Sequence, residues 1–282
     1  MSKKLLFAVL ALALATMACG FQVNLPQTKT PGPDITTDIS VDAPTDEADL
    51  KLSFGAGELS VMPGGKDKLV SGSATYNIAD FEPQVIQTGS EVEIRQGNYQ
   101  VNGFPTMQGL KNEWVLKLGD APMSLTVNAG AYKGAFDLGG LSLTNLNIND
   151  GAAEVTVDFS APNKVKMNVL KYQTGASNVN LLNLSNANFT SLVFEGGAGN
   201  YKLDFGGKLE RDASVNIRAG MSNVTLVIPE GLAVQVTSDS GLSNLSTPAG
   251  WSKNGDVYRQ DGDGPTLSIV LEVGAGNVQI VR

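Results

Sequence analysis

The sequence predicts an all-β protein: a repetitive β-solenoid of the single-stranded β-helix type, about 22 residues per repeat, headed by an N-terminal β-region. Three observations predict it. A short phrase, Gly-x-(Gly/Ser)-Asn, recurs in exact and degraded copies whose leading glycines fall at 130, 151, 175, 197, 220 and 241, in steps of 21, 24, 22, 23 and 21 residues. A period in the twenties marks an array of one stacked supersecondary unit. Apolar residues alternate with polar ones after the phrase, as in Val155, Val157 and Phe159 or Tyr201, Leu203 and Phe205, so that a strand turns all three to one side. Beyond the first 18 residues, no stretch carries the apolar spacing of a helix. The alternative is a β-sandwich of hairpins, since turn signals also fall at roughly the 8–12-residue spacing of such folds.

Taken in order, residues 1–18 read as a lipoprotein signal peptide. Lys3 and Lys4 supply the basic start, residues 5–15 form an unbroken apolar run, and the small Ala18 precedes Cys19. The run is shorter than the roughly 20 residues that span a bilayer. Thr16-Met17-Ala18-Cys19 resembles the lipobox of bacterial lipoproteins, with Thr16 standing where Leu or Val is usual. That resemblance implies diacylation of Cys19, which becomes the mature N-terminus. Cys19 is the only cysteine, so the mature chain has no internal disulfide.

Residues 19–49 predict a disordered tether, with Pro26, Pro31, Pro33 and Pro44 set among Thr and Asp and no apolar period. Residues 50–124 predict a distinct N-terminal β-region that caps the array. Strand-like alternation runs through 50–54, 59–61, 69–76, 84–87, 91–95 and 114–118, and Gly55-Ala-Gly-Glu58 is an early copy of the phrase. Residues 125–282 predict the β-solenoid, each repeat holding two short strands separated by turns. The leading glycine suits either a positive φ or a close approach to the next rung. Asn178, Asn200, Asn223 and Asn244 fall at one repeat position and predict a ladder of side chains along the axis.

Composition excludes several functions. With 42% apolar and 17% charged residues, the chain fills a sizeable core. Without the signal, 18 Lys and Arg face 28 Asp and Glu, a net charge of −10. That balance argues against nucleic acid and against adsorption to anionic lipid, which both favour clustered basic residues. The chain has no histidine, which removes Ser-His-Asp and Cys-His nucleophilic systems and His-bearing zinc sites. No cofactor is expected.

Leu69-Val-Ser-Gly-Ser-Ala-Thr-Tyr76, Pro83-Gln-Val-Ile86 and Val92-Glu-Ile94 resemble the N-terminal domain of the bacterial toast-rack family. Phe136-Asp-Leu-Gly-Gly-Leu-Ser-Leu143 and the glycine-led repeats resemble its continuation, and also the adhesin-like β-helix domains of envelope proteins. The resemblance spans about residues 50–282 and implies an all-β envelope protein, with no catalytic residue to carry over.

The remaining candidates for chemistry are carboxylates. Asp137, Asp158 and Asp204 share one repeat position on the expected outer face, with Lys133, Lys166 and Lys202 as the basic groups a polysaccharide lyase or glycoside hydrolase would need. A solvated acidic face is the simpler reading. Asp261-Gly-Asp263-Gly resembles a fragment of a calcium loop but lacks the later ligands, and reads as a turn. Asn183, Asn188, Asn223 and Asn244 open glycosylation-type triplets that the repeat itself explains. Trp114, Trp251 and Tyr258 are candidate sugar-stacking rings or core. The sequence thus predicts a non-enzymatic, extracytoplasmic lipoprotein for adhesion, scaffolding or envelope-stress sensing. Its expected partners are the membrane, through lipid on Cys19, and an envelope glycan or protein.

Overall fold

The computed structural model of the chain describes residues 31–97, 109–238 and 244–282. The signal peptide, Cys19 and the first part of the expected tether lie outside the described residues, as does Gly241. The described chain is all-β. Its strands are β1 (Ile35–Asp42), β2 (Ala48–Pro63), β3 (Lys68–Tyr76), β4 (Pro83–Thr88), β5 (Glu91–Gln96), β6 (Asn112–Leu118), β7 (Met123–Asp137) and β8 (Leu143–Asp158). They continue as β9 (Met167–Leu182), β10 (Phe189–Asp204), β11 (Ala213–Val227), β12 (Ala233–Ser238), β13 (Asn244–Ser246), β14 (Ser252–Asn254), β15 (Val257–Gln260) and β16 (Thr266–Val281). All belong to one mixed sheet, and two single 3₁₀ turns, Ala79–Phe81 and Leu184–Ala187, interrupt it.

The body is a parallel stack in the order β2-β7-β8-β9-β10-β11-β16. Consecutive long strands pair in parallel from Met123 to Val227, which excludes the sandwich of hairpins. Each stacked strand, a rung, is 15 or 16 residues long. The expected pair of short strands is therefore one strand. It bends at the glycine phrase without losing its neighbours, and the alternation of buried residues changes phase there. In β10, Leu192 and Phe194 face the core before the bend, and Tyr201 and Leu203 face it afterwards, followed by Phe205 just past the strand end. Burying each such side chain contributes about 1.5–3 kcal/mol. One contiguous core runs the length of the stack.

The leading glycine is fixed by close approach. A Cβ on Gly197 would lie 2.4 Å from the carbonyl oxygen of Gly175 on the rung below, and one on Gly175 would lie 2.5 Å from that of Gly151. Positive φ belongs instead to the third position of some copies, as at Gly276 (φ 135), where a Cβ would meet the Ser222 oxygen at 1.8 Å.

Both ends of the stack depart from the sequence expectation. Residues 35–42, assigned to the tether, form β1, which pairs antiparallel with β3 along its whole length. Hydrogen-bonded order thus begins well before residue 50. Nor is there a boundary near 124, because β2 pairs with β7 from Ala48 to Val61 and is itself the first long rung. Beyond β2 the rung splits in two: β5 pairs with its first half and β6 with its second. At the other end the chain leaves sequence order. The C-terminal strand β16 lies between β11 and the pair β12 and β13. The asparagine ladder follows the spatial order. Asn200 Nδ2 donates to Asn178 Oδ1 (2.8 Å), Asn223 to Asn200 (2.9 Å) and Asn277 to Asn223 (3.2 Å). Asn277 takes the place expected of Asn244, whose backbone pairs with Asn277 one rung further on.

Candidate functional site

The bend leaves a groove of about 1650 Å³ along the stack, lined by the same strand positions on all seven rungs. At about 4.8 Å between strands, the six steps from β2 to β16 make it about 29 Å long. One wall is the residue two places before each leading glycine: Ser53, Asn128, Asn149, Gln173, Glu195, Arg218 and Glu272, adjacent in register. Alternation turns these side chains away from the core, and all but the exposed Arg218 are half-buried. They bond along the axis in pairs. Asn149 Nδ2 donates to Asn128 Oδ1 (3.0 Å), Gln173 Nε2 to Glu195 Oε2, and Arg218 Nε to Glu272 Oε2 (2.9 Å). Ser53 Oγ donates to Glu93 Oε1 (2.9 Å), and Lys51 and Ser53 together hold the Glu93 carboxyl below the usual range. The floor is backbone and small side chains, among them Gly55, Ala129, Thr174, Gly196, Ala219 and Gly220. Phe54, Phe81 and Leu110 close it at the β2 end.

Asp150 stands out within the floor. Its Oδ2 accepts the Tyr172 hydroxyl (2.6 Å) and, more weakly, that of Tyr132 (3.4 Å), while its Oδ1 is buried with no partner among the described residues. The tyrosines reach it from the rungs on either side, Tyr132 from β7 and Tyr172 from β9. Burial first raises both phenol pKa values. The neighbouring Tyr132 and the Asp150 carboxylate add to it at Tyr172, and Asp150 does so at Tyr132. Tyr201 lies beneath Gly196, where its ring occupies the place a Cβ would take; its hydroxyl is buried and has no partner among the described residues, and burial raises its pKa too. Tyr172, Phe194 and Tyr201 form one run of ring contacts under the floor.

The predicted carboxylates serve other ends. Asp137 and Asp158 are indeed neighbours in register, but Asp204 is separated from them by Leu182. Each is half-buried at its strand end and holds a turn, which is not the open acidic face expected. Asp137 Oδ1 accepts from Gly139 N (3.0 Å) and Ser160 Oγ (2.6 Å), Asp158 Oδ1 from Asn183 Nδ2 (2.7 Å), and Asp204 Oδ1 from Gly206 N (2.8 Å). Lys202 sits 3.8 Å from Asp204. Lys133 stands in register between Glu58 and Glu154, and Lys166 is exposed outside the strands. The three lysines occupy three unrelated positions.

The other candidates are structural as well. Asn183 and Asn188 flank the second 3₁₀ turn with left-handed backbones, and their side chains bond Asp158 and the Val165 carbonyl. Residues 261–264 form an exposed loop tied back by Asp263 N to Gly231 O, and no group of metal-ligating side chains occurs among the described residues. Trp114 is core, its Nε1 held by Asn112 Oδ1 (3.0 Å). Tyr258 is buried beneath Lys253, and Trp251 packs at the edge of the core. The signal that marks the groove is in the sequence: a polar residue stands two places before the leading glycine in eight copies, seven of which line it.

Fold and groove together define a class, an all-β stack of parallel rungs carrying a continuous axial groove. The chain belongs to the toast-rack family. The family profile, the N-terminal domain of toast_rack, DUF2154, matches residues 27–181 and 161–227, beginning ahead of β1. No curated protein matches the sequence. Among solved structures, a candidate cell adhesion protein from Clostridium sporogenes is 20% identical, with 88% of this chain and 99% of that one covered and a TM-score of 0.53. That likeness is one of fold. A candidate lipid binding protein from Parabacteroides distasonis is 10% identical, with 89% and 98% covered and a TM-score of 0.42. A candidate adhesin from the same organism is 12% identical, with 89% and 98% covered and a TM-score of 0.36.

Proposed function

We propose that the protein is a non-enzymatic cell-envelope lipoprotein: a β-solenoid anchored by lipid on Cys19 and displayed outside the membrane for adhesion or scaffolding, with the axial groove as its binding face. The observation that carries this is the state of the groove wall. Its amides and charges are bonded to one another in pairs along the axis, which fixes them as a preorganised surface. Glycoside hydrolysis instead needs two carboxyls facing each other across a sugar, one kept protonated by desolvation. The aspartates at the strand ends are engaged in turns. The parallel rungs in register with the glycine repeat support the solenoid reading, and the Clostridium sporogenes protein of like fold is itself a cell adhesion candidate.

The test has two parts. Incubated with polysaccharide and peptidoglycan fragments, with and without calcium, the purified protein leaves their chain lengths unchanged; cleavage lost in Asp137→Asn or Asp158→Asn would instead establish the enzyme. In cells, Cys19→Ser abolishes acyl labelling and membrane partitioning. Labelling that survives the substitution rules out the anchor.

A further inference from the structure

The groove wall repeats once per rung, about every 4.8 Å, and this period selects among elongated ligands. An extended peptide advances about 3.3 Å per residue, so successive residues meet the wall at different offsets and only every third, about 10 Å on, returns to register two rungs away. A peptide adding as a strand also needs an unpaired edge, whereas the inner rungs of the groove are paired on both sides. An acyl chain would bury the amides of Asn149 and Gln173 against hydrocarbon, leaving their remaining donors and acceptors unmet. An acidic polymer meets Glu195 and Glu272 against the single Arg218, on a chain whose acidic residues already outnumber its basic ones by 28 to 20.

A chain of β-linked pyranose rings advances by about one rung per ring and carries hydroxyls that both donate and accept. Each wall amide has two donors and an acceptor oxygen, and the bond along the axis uses only part of that capacity. The glycine and alanine floor lets the flat face of a ring approach the backbone. From this match of period, charge and bonding capacity we infer that the groove binds an extended, uncharged polysaccharide lengthwise, about one sugar ring per rung. The inference rests on the non-enzymatic binding role proposed above and names the ligand class of that site.

The purified full-length protein is titrated with neutral β-linked oligosaccharides of increasing length, an acidic polysaccharide and phospholipid vesicles. Affinity for the neutral series should rise with ring number and level off at about seven, one per lining rung. Gln173→Trp, which fills the middle of the groove from its outer wall, should weaken binding about tenfold or more. Asn200→Ala, on the exposed ladder outside the groove, should leave it unchanged. Affinity independent of length, preference for the acidic polymer or the vesicles, or full binding by Gln173→Trp overturns the inference. The two readings fail separately: ligands shortened during the titration overturn the non-enzymatic role, while intact ligands that do not bind overturn only the polysaccharide assignment.

Discussion

Asp150 is an acidic residue enclosed by two tyrosines from the rungs on either side. Its carboxylate has one oxygen bonded to two phenols and one buried oxygen without a partner among the described residues. A buried acceptor that loses its donor costs about 1–3 kcal/mol. Tyr172→Phe, which removes the 2.6 Å bond, should therefore destabilise the protein by about that amount, and Tyr132→Phe, which removes a 3.4 Å contact, by clearly less. Urea melts of the two variants read the difference; equal costs would mean that the carboxylate is held by something else. The same pair sets an alkaline limit. Both phenols have folded pKa values raised above the free value of about 10, so the folded state holds protons that the unfolded chain gives up. Their contribution is complete below about pH 10 and is lost as pH climbs from there toward the folded values. Stability should fall steeply above about pH 10, and less steeply in Tyr172→Phe. None of this was legible in the sequence. Asp150 sits where most copies have a small residue, and its two tyrosines come from different repeat positions on different rungs.

The rung is the level at which the sequence was most readable, because its two requirements recur in every copy. Alternation placed Val155, Val157, Tyr201 and Leu203 inside, where they are. The glycine period places the bends, but the local turn chemistry of Gly and Asn points to a break between two strands where the structure has one bent strand. The sequence leaves open whether the leading glycine serves a positive φ or a close approach; the structure decides for close approach, the backbone of one rung excluding a side chain on the next. That spacing also ranks the glycines. A Cβ on Gly197 would lie 2.4 Å from the carbonyl below, while one on Gly274 would lie 3.3 Å from its nearest atom, the Gly220 oxygen. Gly197→Ala should then cost about 1–3 kcal/mol, in the range of other enforced backbone distortions, and Gly274→Ala markedly less. Asp204→Asn, which keeps the oxygen that accepts Gly206 N, should stay within about 0.5 kcal/mol of the parent. Denaturation midpoints at constant slope decide this; if Gly274→Ala proved as costly as Gly197→Ala, close approach would not be the reason for the glycine.

At the scale of the molecule, the chain order and the spatial order agree until β11 and then part. The Gly241 and Gly274 copies look alike as sequence, and nothing in either says which lies next to Gly220; the register puts Gly274 there. Strands β12 and β13 therefore rest on β16, the last strand described, and pair with no other long rung among the described residues. In a stack where each unit contacts only its neighbours, stability is close to a sum of nearest-neighbour terms. Removing residues 264–282 takes away two interfaces at once: that of β16 with β11 and that of β16 with the terminal strands. The rungs from β2 to β10 keep all their neighbours and should stay protected from hydrogen exchange. Residues 228–260 should become labile to protease, since their remaining pairing is the short antiparallel set of β12, β15 and β14. The freed edge of β11, with Val215, Ile217, Val224 and Leu226 facing a core now open at that end, should draw the truncated chain into self-association. Exchange and limited proteolysis on the full and truncated chains separate the outcomes. If residues 228–260 stay as protected without β16 as with it, the out-of-order rung is not what holds that end together; if protection is lost evenly back to β2, the stack unfolds as one unit and the nearest-neighbour description fails.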